Sequence, residues 1–196
     1  TVGGAVRGNA GAFGGETKDR ILEVTSLNIS SGRPQIVKRT KDKCGFGYRT
    51  SVFKKKNKEI VLTAKFLLEK GDKKTIESEI AAKIDYRRER HPLEHPNVGS
   101  IFKNVDLKKI NKKFRPAVKG IIKQDPFPIV PTAFLISETG LKGVSCGGAM
   151  VSPKHPNFIV NVLNARSNEV KELISLVKEK VKNKFDVRLE EEIEIQ

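Results

Sequence analysis

Tryptophan is absent from this chain of 196 residues, tyrosine occurs twice, and aromatics of all kinds make up 6%. That scarcity argues against a nucleic-acid surface, where exposed rings usually stand among basic side chains. Long apolar runs are missing too. The longest, FPIVPTAFLI at 127–136, is half a membrane span and holds two prolines, which excludes it as a transmembrane helix. The start of the chain has no basic flank followed by an apolar block, so no signal peptide is read there, and a cytoplasmic location is expected. Cysteine is scarce: Cys44 and Cys146 stand far apart, form no CxxC and join no metal-ligand cluster. Both are expected as buried, reduced thiols, and no metal site is expected.

What is abundant is positive charge, 38 Lys+Arg against 23 Asp+Glu, a formal net charge of +15. Such a surplus suits nucleic acid, a small polyanion such as a diphosphate, or a solvated lysine surface without a specific partner. No helix-turn-helix or RNA-binding motif accompanies it. With 37% hydrophobic residues the chain is long enough for a real core in one large or two small domains.

Periodicity sets the class. RILEVTSLNIS (20–30), the turn SGRPQ, and IVK read as two strands about a tight turn. KDKCGFGYRTSVFKKK (41–56) is too broken by glycine for one clean element, and EIVLTAKFLLEKG (59–71) is rich in β-formers. In residues 72–90 the period changes. Ile76, Ile80 and Ile84 recur every four residues, which predicts an amphipathic helix begun near Asp72 or Thr75 and stopped before Pro92. HPLEHPNVGS (91–100) carries two prolines and reads as a linker between two lobes. TAFLISETG (132–140) predicts a short helix capped by Thr132, and VSCGGAMVS and NFIVNVL predict strands. SNEVKELISLVKEKVKNKF (167–185) predicts a helix capped by Ser167, with Val170, Leu173, Ile174, Val177 and Val181 on one stripe. VRLEEEIEI (187–195) alternates as a strand does. Helices and strands mix without a βαβ rhythm, so the class is read as α+β, with a boundary at 90/91.

Several stretches have chemical potential. TVGGAVRGNAGAFGGE (1–16) holds six glycines; such a run is either a mobile or tightly turned loop, or a cradle whose backbone N–H groups meet an anion. Its spacing fits neither G-x-G-x-x-G nor a P-loop. Arg49 in GYRTSVFKKK suits a carboxylate or phosphate, or is one more solvated cation. In HPNVGSIFKN, Ser100 stands at the start of an element, either as a capping hydroxyl or as a proton donor. His91 and His95 are read as structural, since Pro92 and Pro96 forbid a helical metal pair. Lys142, Lys154 and His155 lie in turn-like stretches, and Glu192 lies on the polar side of the terminal alternation.

Taken in order, TVGGAVRGNAGAFGGE, CGFGYRTSVFK, HPNVGSIFKN, TGLKGVSCGGAMVS, KHPNFIVN and FDVRLEEEIEI resemble the UDP-N-acetylenolpyruvoylglucosamine reductases. These flavoenzymes make UDP-N-acetylmuramate for bacterial peptidoglycan. The resemblance covers essentially the whole chain. The short gap between Arg49 and Ser100 resembles the family type that lacks the extra tyrosine loop. The resemblance implies that residues 1–90 are the second half of an FAD-binding domain of the vanillyl-alcohol-oxidase type. Residues 91–196 would then be an α+β substrate-binding domain whose last strand returns to the active site.

The chemistry follows by the same resemblance. FAD is reduced by NADPH and passes hydride to the vinyl carbon of an enolpyruvyl ether carried on a UDP-sugar; the resulting enolate is then protonated. Ser100 matches the family's proton donor, Arg49 its arginine and Glu192 its glutamate. A guanidinium fork suits the enolate better than the neutral alkene, and a protonated Glu192 would hydrogen-bond it. Thr1, Val2, Gly3, Gly4, Asn9, Ala10, Gly11 and Gly14 match flavin-binding positions. Tyr48, Asn104, Lys142 and His155 match substrate contacts, although Val105 stands where the family usually has proline. The family also has an N-terminal lobe with its own glycine loop, and Pro-Gly before the position of Thr1. The chain is therefore expected to be a fragment, monomeric, with no nucleic-acid or membrane partner. The alternative reading is an inactive fragment or a basic nucleic-acid-binding module.

Overall fold

In the computed structural model, residues 1–30, 32–56 and 58–195 are described. By packing, the chain divides into two units, Thr1–Gly71 and Asp72–Gln196, so the helix after Gly71 groups with the second; the prolines had suggested 90/91.

The first unit opens on a helix, not a loop: α1 spans Val2–Gly8. Three of its seven residues are glycine, each costing about 1 kcal/mol against alanine in a helix. So short a helix is also not stable alone. Tertiary contacts make up the difference. The Thr1 hydroxyl accepts the Gly4 N–H at 3.1 Å, Val6 is fully buried, and Ser51 Oγ donates to the Arg7 carbonyl at 2.6 Å. Asn9 ends the helix at φ 45°. Strands β1 (Gly11–Ala12) and β2 (Gly15–Glu16) form a tight hairpin. Its turn residues, Phe13 and Gly14, both have positive φ, as a two-residue turn with the right twist requires.

The expected strand pair is present as β3 (Ile21–Asn28) and β4 (Gln35–Thr40). With α2 (Val52–Lys56) and β5 (Glu59–Phe66) they complete the unit, the antiparallel sheet running β4-β3-β5. Val6, Ile21, Val24, Cys44 and Phe53 form its core. A buried ion pair crosses the sheet. Arg39 makes a forked pair with Glu59, at 2.6 and 2.8 Å, and Ser26 Oγ donates to the same carboxylate at 2.7 Å. The Glu59 side chain is 1% exposed.

The second unit begins with α3 (Lys73–Arg90), started by Asp72, whose carboxylate accepts the Thr75 N–H at 2.9 Å. The helix is as expected, but its isoleucines are not buried: Ile76, Ile80 and Ile84 are 46%, 51% and 44% exposed. One apolar residue per turn makes a seam narrower than the face of a core helix. Next come β6 (Asn97–Ser100), the pair β7 (Val105–Asp106) and β8 (Ile129–Val130), and between these two the single turn α4 (Arg115–Val118). Helix α5 covers Thr132–Ser137. Thr132 is its first residue and not its cap: its hydroxyl donates to the Lys103 carbonyl at 2.6 Å, and no side chain caps the helix.

Strands β9 (Ser145–Cys146), β10 (Ala149–Val151) and β11 (Phe158–Asn161) join β6 in an antiparallel sheet ordered β6-β11-β10-β9. Gly148 lies so close to the following loop that a Cβ would sit 2.2 Å from the Leu163 carbonyl oxygen, contact that only glycine allows. Helix α6 (Ser167–Phe185) buries Leu173, Ile174, Val177, Val181 and Phe185 against this unit's core, and Val170 packs beside them. Its cap is Arg166, one residue earlier than expected; Glu169 in the first turn accepts the Arg166 N–H at 2.8 Å. The terminal alternation is not a strand. Val187 and Leu189 are buried, but only a single bridge, Phe102 with Glu191, follows, and Ile195 is 47% exposed.

Candidate active site

In the first unit Arg49 touches two of the other expected residues, Gly11 and Tyr48. Its backbone is left-handed, φ 54°, which re-aims the side chain at some cost in strain. The guanidinium Nη2 donates to the Gly11 carbonyl at 2.7 Å, Nη1 lies 4.0 Å from Glu16, and the group stacks on the Tyr48 ring at 5.1 Å. Glycine is required at 11 for this: a Cβ there would meet Glu16 Cγ at 2.9 Å and Arg49 Nη1 at 3.0 Å. Glu16 also pairs with Lys18 at 2.6 Å, and its Oε1 is buried without a hydrogen bond among the described residues.

The glycine run is less open than its composition suggested. The N–H groups of Gly4, Asn9 and Ala10 bond to Thr1, Val6 and Ala5. Asn9 is fully buried, its carboxamide donating to the Gly47 carbonyl at 2.9 Å and accepting the Lys18 N–H at 3.0 Å. Asn9 therefore braces the Tyr48–Arg49 turn from behind. By contrast, a Cβ at Gly8 would meet nothing within 4 Å.

In the second unit the backbone just after Ser100 pairs with the segment that carries Glu192, although 91 residues separate the two in sequence. Ser100 ends β6 after Gly99, whose φ of 86° permits the bend, and its hydroxyl takes no hydrogen bond among the described residues. The next residue, Ile101, accepts the Glu192 N–H at 2.8 Å, and Lys103 N–H reaches the Glu190 carbonyl at 2.9 Å. The segment after the serine thus runs beside the segment carrying the glutamate. Lys103 and Lys109 both pair with Glu190, which holds its carboxyl below the usual range, the Lys109 hydrogen bond being the main cause.

The remaining expected contacts are distributed. Asn104 Oδ1 accepts the Thr132 N–H at 3.2 Å and so ties the serine loop to α5. Lys142 is exposed in the turn after Leu141. His155 packs edge-on against His91 at 5.5 Å and Phe158 at 4.6 Å, with Nδ1 buried and without a partner among the described residues. Burial pushes its pKa down to about 4, and the neighbouring His91 and Lys123 charges act in the same direction. A cleft of about 330 Å³ beside Lys108, Arg115 and Phe127 contains none of the expected residues.

Cys44 is buried as expected, and burial raises its thiol pKa. Cys146 is half-buried and donates to Glu172 at 3.0 Å; that bond raises its pKa. Among the described residues no group of three His, Cys, Asp or Glu side chains gathers as metal ligands, and no helix is long and apolar enough to cross a membrane. Sequence reasoning missed Asn157 and Thr132, whose polar side chains brace the backbone between Ser100 and Asn104. Polar residues in KHPNF and VPTAF were the available signal, and neither pattern discloses a partner so remote in sequence.

Comparison with known proteins gives the family. The family model of the UDP-N-acetylenolpyruvoylglucosamine reductase C-terminal domain matches residues 91–196. UDP-N-acetylenolpyruvoylglucosamine reductases of Fervidobacterium nodosum and Carboxydothermus hydrogenoformans are each 40% identical over 195 residues. The alignments cover all of this chain and 55% and 56% of those proteins. The chain thus spans about half the length of the curated relatives it matches. The crystal structure of the Thermus caldophilus reductase superposes with a TM-score of 0.70 at 30% identity, over 98% of this chain and 59% of that one. The chain therefore belongs to the UDP-N-acetylenolpyruvoylglucosamine reductase family.

Proposed function

We propose that this chain is the greater part of a flavin-dependent reductase that converts UDP-N-acetylglucosamine enolpyruvate to UDP-N-acetylmuramate for peptidoglycan synthesis. The observation that carries the reading is that the backbone after Ser100, at Ile101, is bonded to Glu192 in the second unit, in a chain of this family. When bound, FAD would supply the hydride, itself replenished by NADPH.

The residues present fit such a cofactor. Gly8 leaves open space where a side chain would stand, which lets a large flat group approach the backbone at the end of α1. Thr1, Val2, Gly3, Gly4, Ala10, Gly11 and Gly14 are the proposed lining, as the second half of a vanillyl-alcohol-oxidase-type domain, with Asn9 bracing them from within. Glu16 Oε1, a buried acceptor with no hydrogen bond among the described residues, lies in the same hairpin and suits a polar group of the ligand.

Arg49, held by the Gly11 carbonyl and the Tyr48 ring, is pre-set to face the carboxylate of the enolpyruvyl group. Negative charge grows on that carboxylate as the double bond is reduced, so a fixed guanidinium stabilises the transition state more than the substrate. Ser100 Oγ gives its proton to the carbon bearing the carboxylate. Its hydroxyl is a weak acid in water, but the enolate carbon is a strong base and the backbone on either side of the hydroxyl is fixed. Glu192, whose N–H bonds the carbonyl of the residue after the serine, is the proposed second polar group. Tyr48, Asn104, Lys142 and His155 are the proposed contacts of the UDP-sugar. His155, neutral near pH 7, would meet a phosphate as a hydrogen-bond donor and not as a charge.

The whole protein, purified, should absorb near about 450 nm, the band of oxidised flavin. NADPH should bleach that band and the enolpyruvyl UDP-sugar should restore it. A colourless protein that binds DNA with a steep salt dependence would overturn the proposal in favour of a basic binding module.

A further inference from the structure

Every backbone polar group from Ile101 to Lys103 has a named partner, and three of the six belong to one residue. The Asn157 carbonyl accepts the Ile101 N–H at 2.8 Å. Its side-chain Oδ1 accepts the Phe102 N–H at 3.0 Å, and its Nδ2 donates to the Phe102 carbonyl at 2.8 Å. On the other side Ile101 accepts from Glu192, Lys103 donates to Glu190, and the Lys103 carbonyl takes the Thr132 hydroxyl. Asn157 itself is 3% exposed. The register of β11 with β6 ends at Phe158 opposite Ser100, and one further main-chain bond, from Ile101 N–H to the Asn157 carbonyl, closes it. Beyond it the Asn157 carboxamide takes over the task of a strand, bonding both the donor and the acceptor of one residue.

We propose that Asn157 is a positioning residue for Ser100 and Glu192: its carboxamide fixes the backbone that joins them. The proposal rests on the reading of Ser100 as proton donor. Misplacement of a reacting group by about 1 Å costs on the order of a hundredfold in rate, and a side chain that fixes a backbone on both of its polar edges prevents that drift. An amide suits the place better than a carboxylate, because one edge must donate and the other accept.

The test compares the whole protein with Asn157→Asp and Ser100→Ala. At pH 8 the aspartate cannot donate to the Phe102 carbonyl. Reoxidation of reduced flavin by the enolpyruvyl substrate should slow by about ten- to a hundredfold, with KM little changed. Reduction by NADPH should stay at the parent rate. The double variant Ser100→Ala/Asn157→Asp should lose clearly less than the product of the two single losses. Lowering the pH should partly restore Asn157→Asp as its carboxyl takes the proton that returns the donor.

Amide hydrogen exchange reads the clamp without catalysis: residues 100–103 and 190–192 should exchange faster in Asn157→Asp, with α6 still protected. If that variant does not fold at pH 8, Asn157→Ser should show the same split between the half-reactions. Equal loss of both half-reactions, an unchanged reoxidation rate, or unchanged exchange at 100–103 overturns the positioning role. Should Ser100→Ala reoxidise normally while the exchange still rises, the proton-donor reading fails and the clamp remains as structure only, which also removes the positioning role.

Discussion

Replacement of Ser100 by alanine is expected to slow reoxidation of the flavin by the enolpyruvyl substrate by about 10²–10⁴-fold, the range for loss of a positioned general acid. Reduction by NADPH should be unchanged. The selectivity follows from place. Ser100 lies at the end of β6, and removal of its oxygen disturbs no hydrogen bond among the described residues, so fold and cofactor binding have no reason to suffer. Stopped-flow absorbance separates the two steps. Parallel loss of both would identify Ser100 as a structural residue and remove it from the chemistry.

The second large effect lies in the first unit and concerns stability. Glu59→Ala should cost about 3–5 kcal/mol, the usual result of leaving one member of a buried ion pair unpaired. Arg39 would then keep a guanidinium that is mostly buried, with its forked partner gone and only the neutral Ser26 Oγ, at 3.2 Å, and the Phe53 ring, at 5.9 Å, named beside it among the described residues. Against a typical domain stability of about 5–15 kcal/mol this is a large share. Urea unfolding should show the loss. The double variant Arg39→Met/Glu59→Ala should recover most of it, because the stranded charge is removed as well. A double variant as unstable as the single one would mean that packing, not charge, is at stake.

How much of this was legible depends on the range of the interaction. The hairpin of Ile21–Asn28 and Gln35–Thr40 and the helix Ser167–Phe185 could be read because turn chemistry and periodicity are local. The helix Val2–Gly8 could not. Its glycines argue against it, and the contacts that hold it, the Val6 side chain in the core and the Ser51 hydroxyl on Arg7, come from elsewhere in the chain. The isoleucines of Lys73–Arg90 gave the helix correctly and its burial wrongly, since period reports conformation and not what covers a face. The terminal alternation was half right: Val187 and Leu189 face the core, but no neighbouring strand continues past one bridge.

For the site, the family motifs marked Ser100 and Glu192 individually. Their junction through Ile101, and the Asn157 clamp behind it, depend on pairings that no local pattern encodes. The Arg39–Glu59 fork has no local signature for the same reason: it forms only when β3, β4 and β5 align.

The His91–His155–Phe158 contact has a consequence for acid tolerance. Burial depresses both histidine pKa values, His155 to about 4, and the charges of Arg87 and Lys154 push His91 the same way. The unfolded chain binds these protons near pH 6.5, whereas the folded ring of His155 refuses its proton until about pH 4. The stabilisation is therefore complete above about pH 6.5 and is lost progressively as the pH falls toward 4. Unfolding midpoints in urea should fall across that window. His155→Gln should flatten the fall, and an equal slope in parent and variant would assign the acid sensitivity to other groups. The acid sensitivity would therefore fall on the second unit, which holds both histidines, and leave the first unit's stability unchanged across the same window.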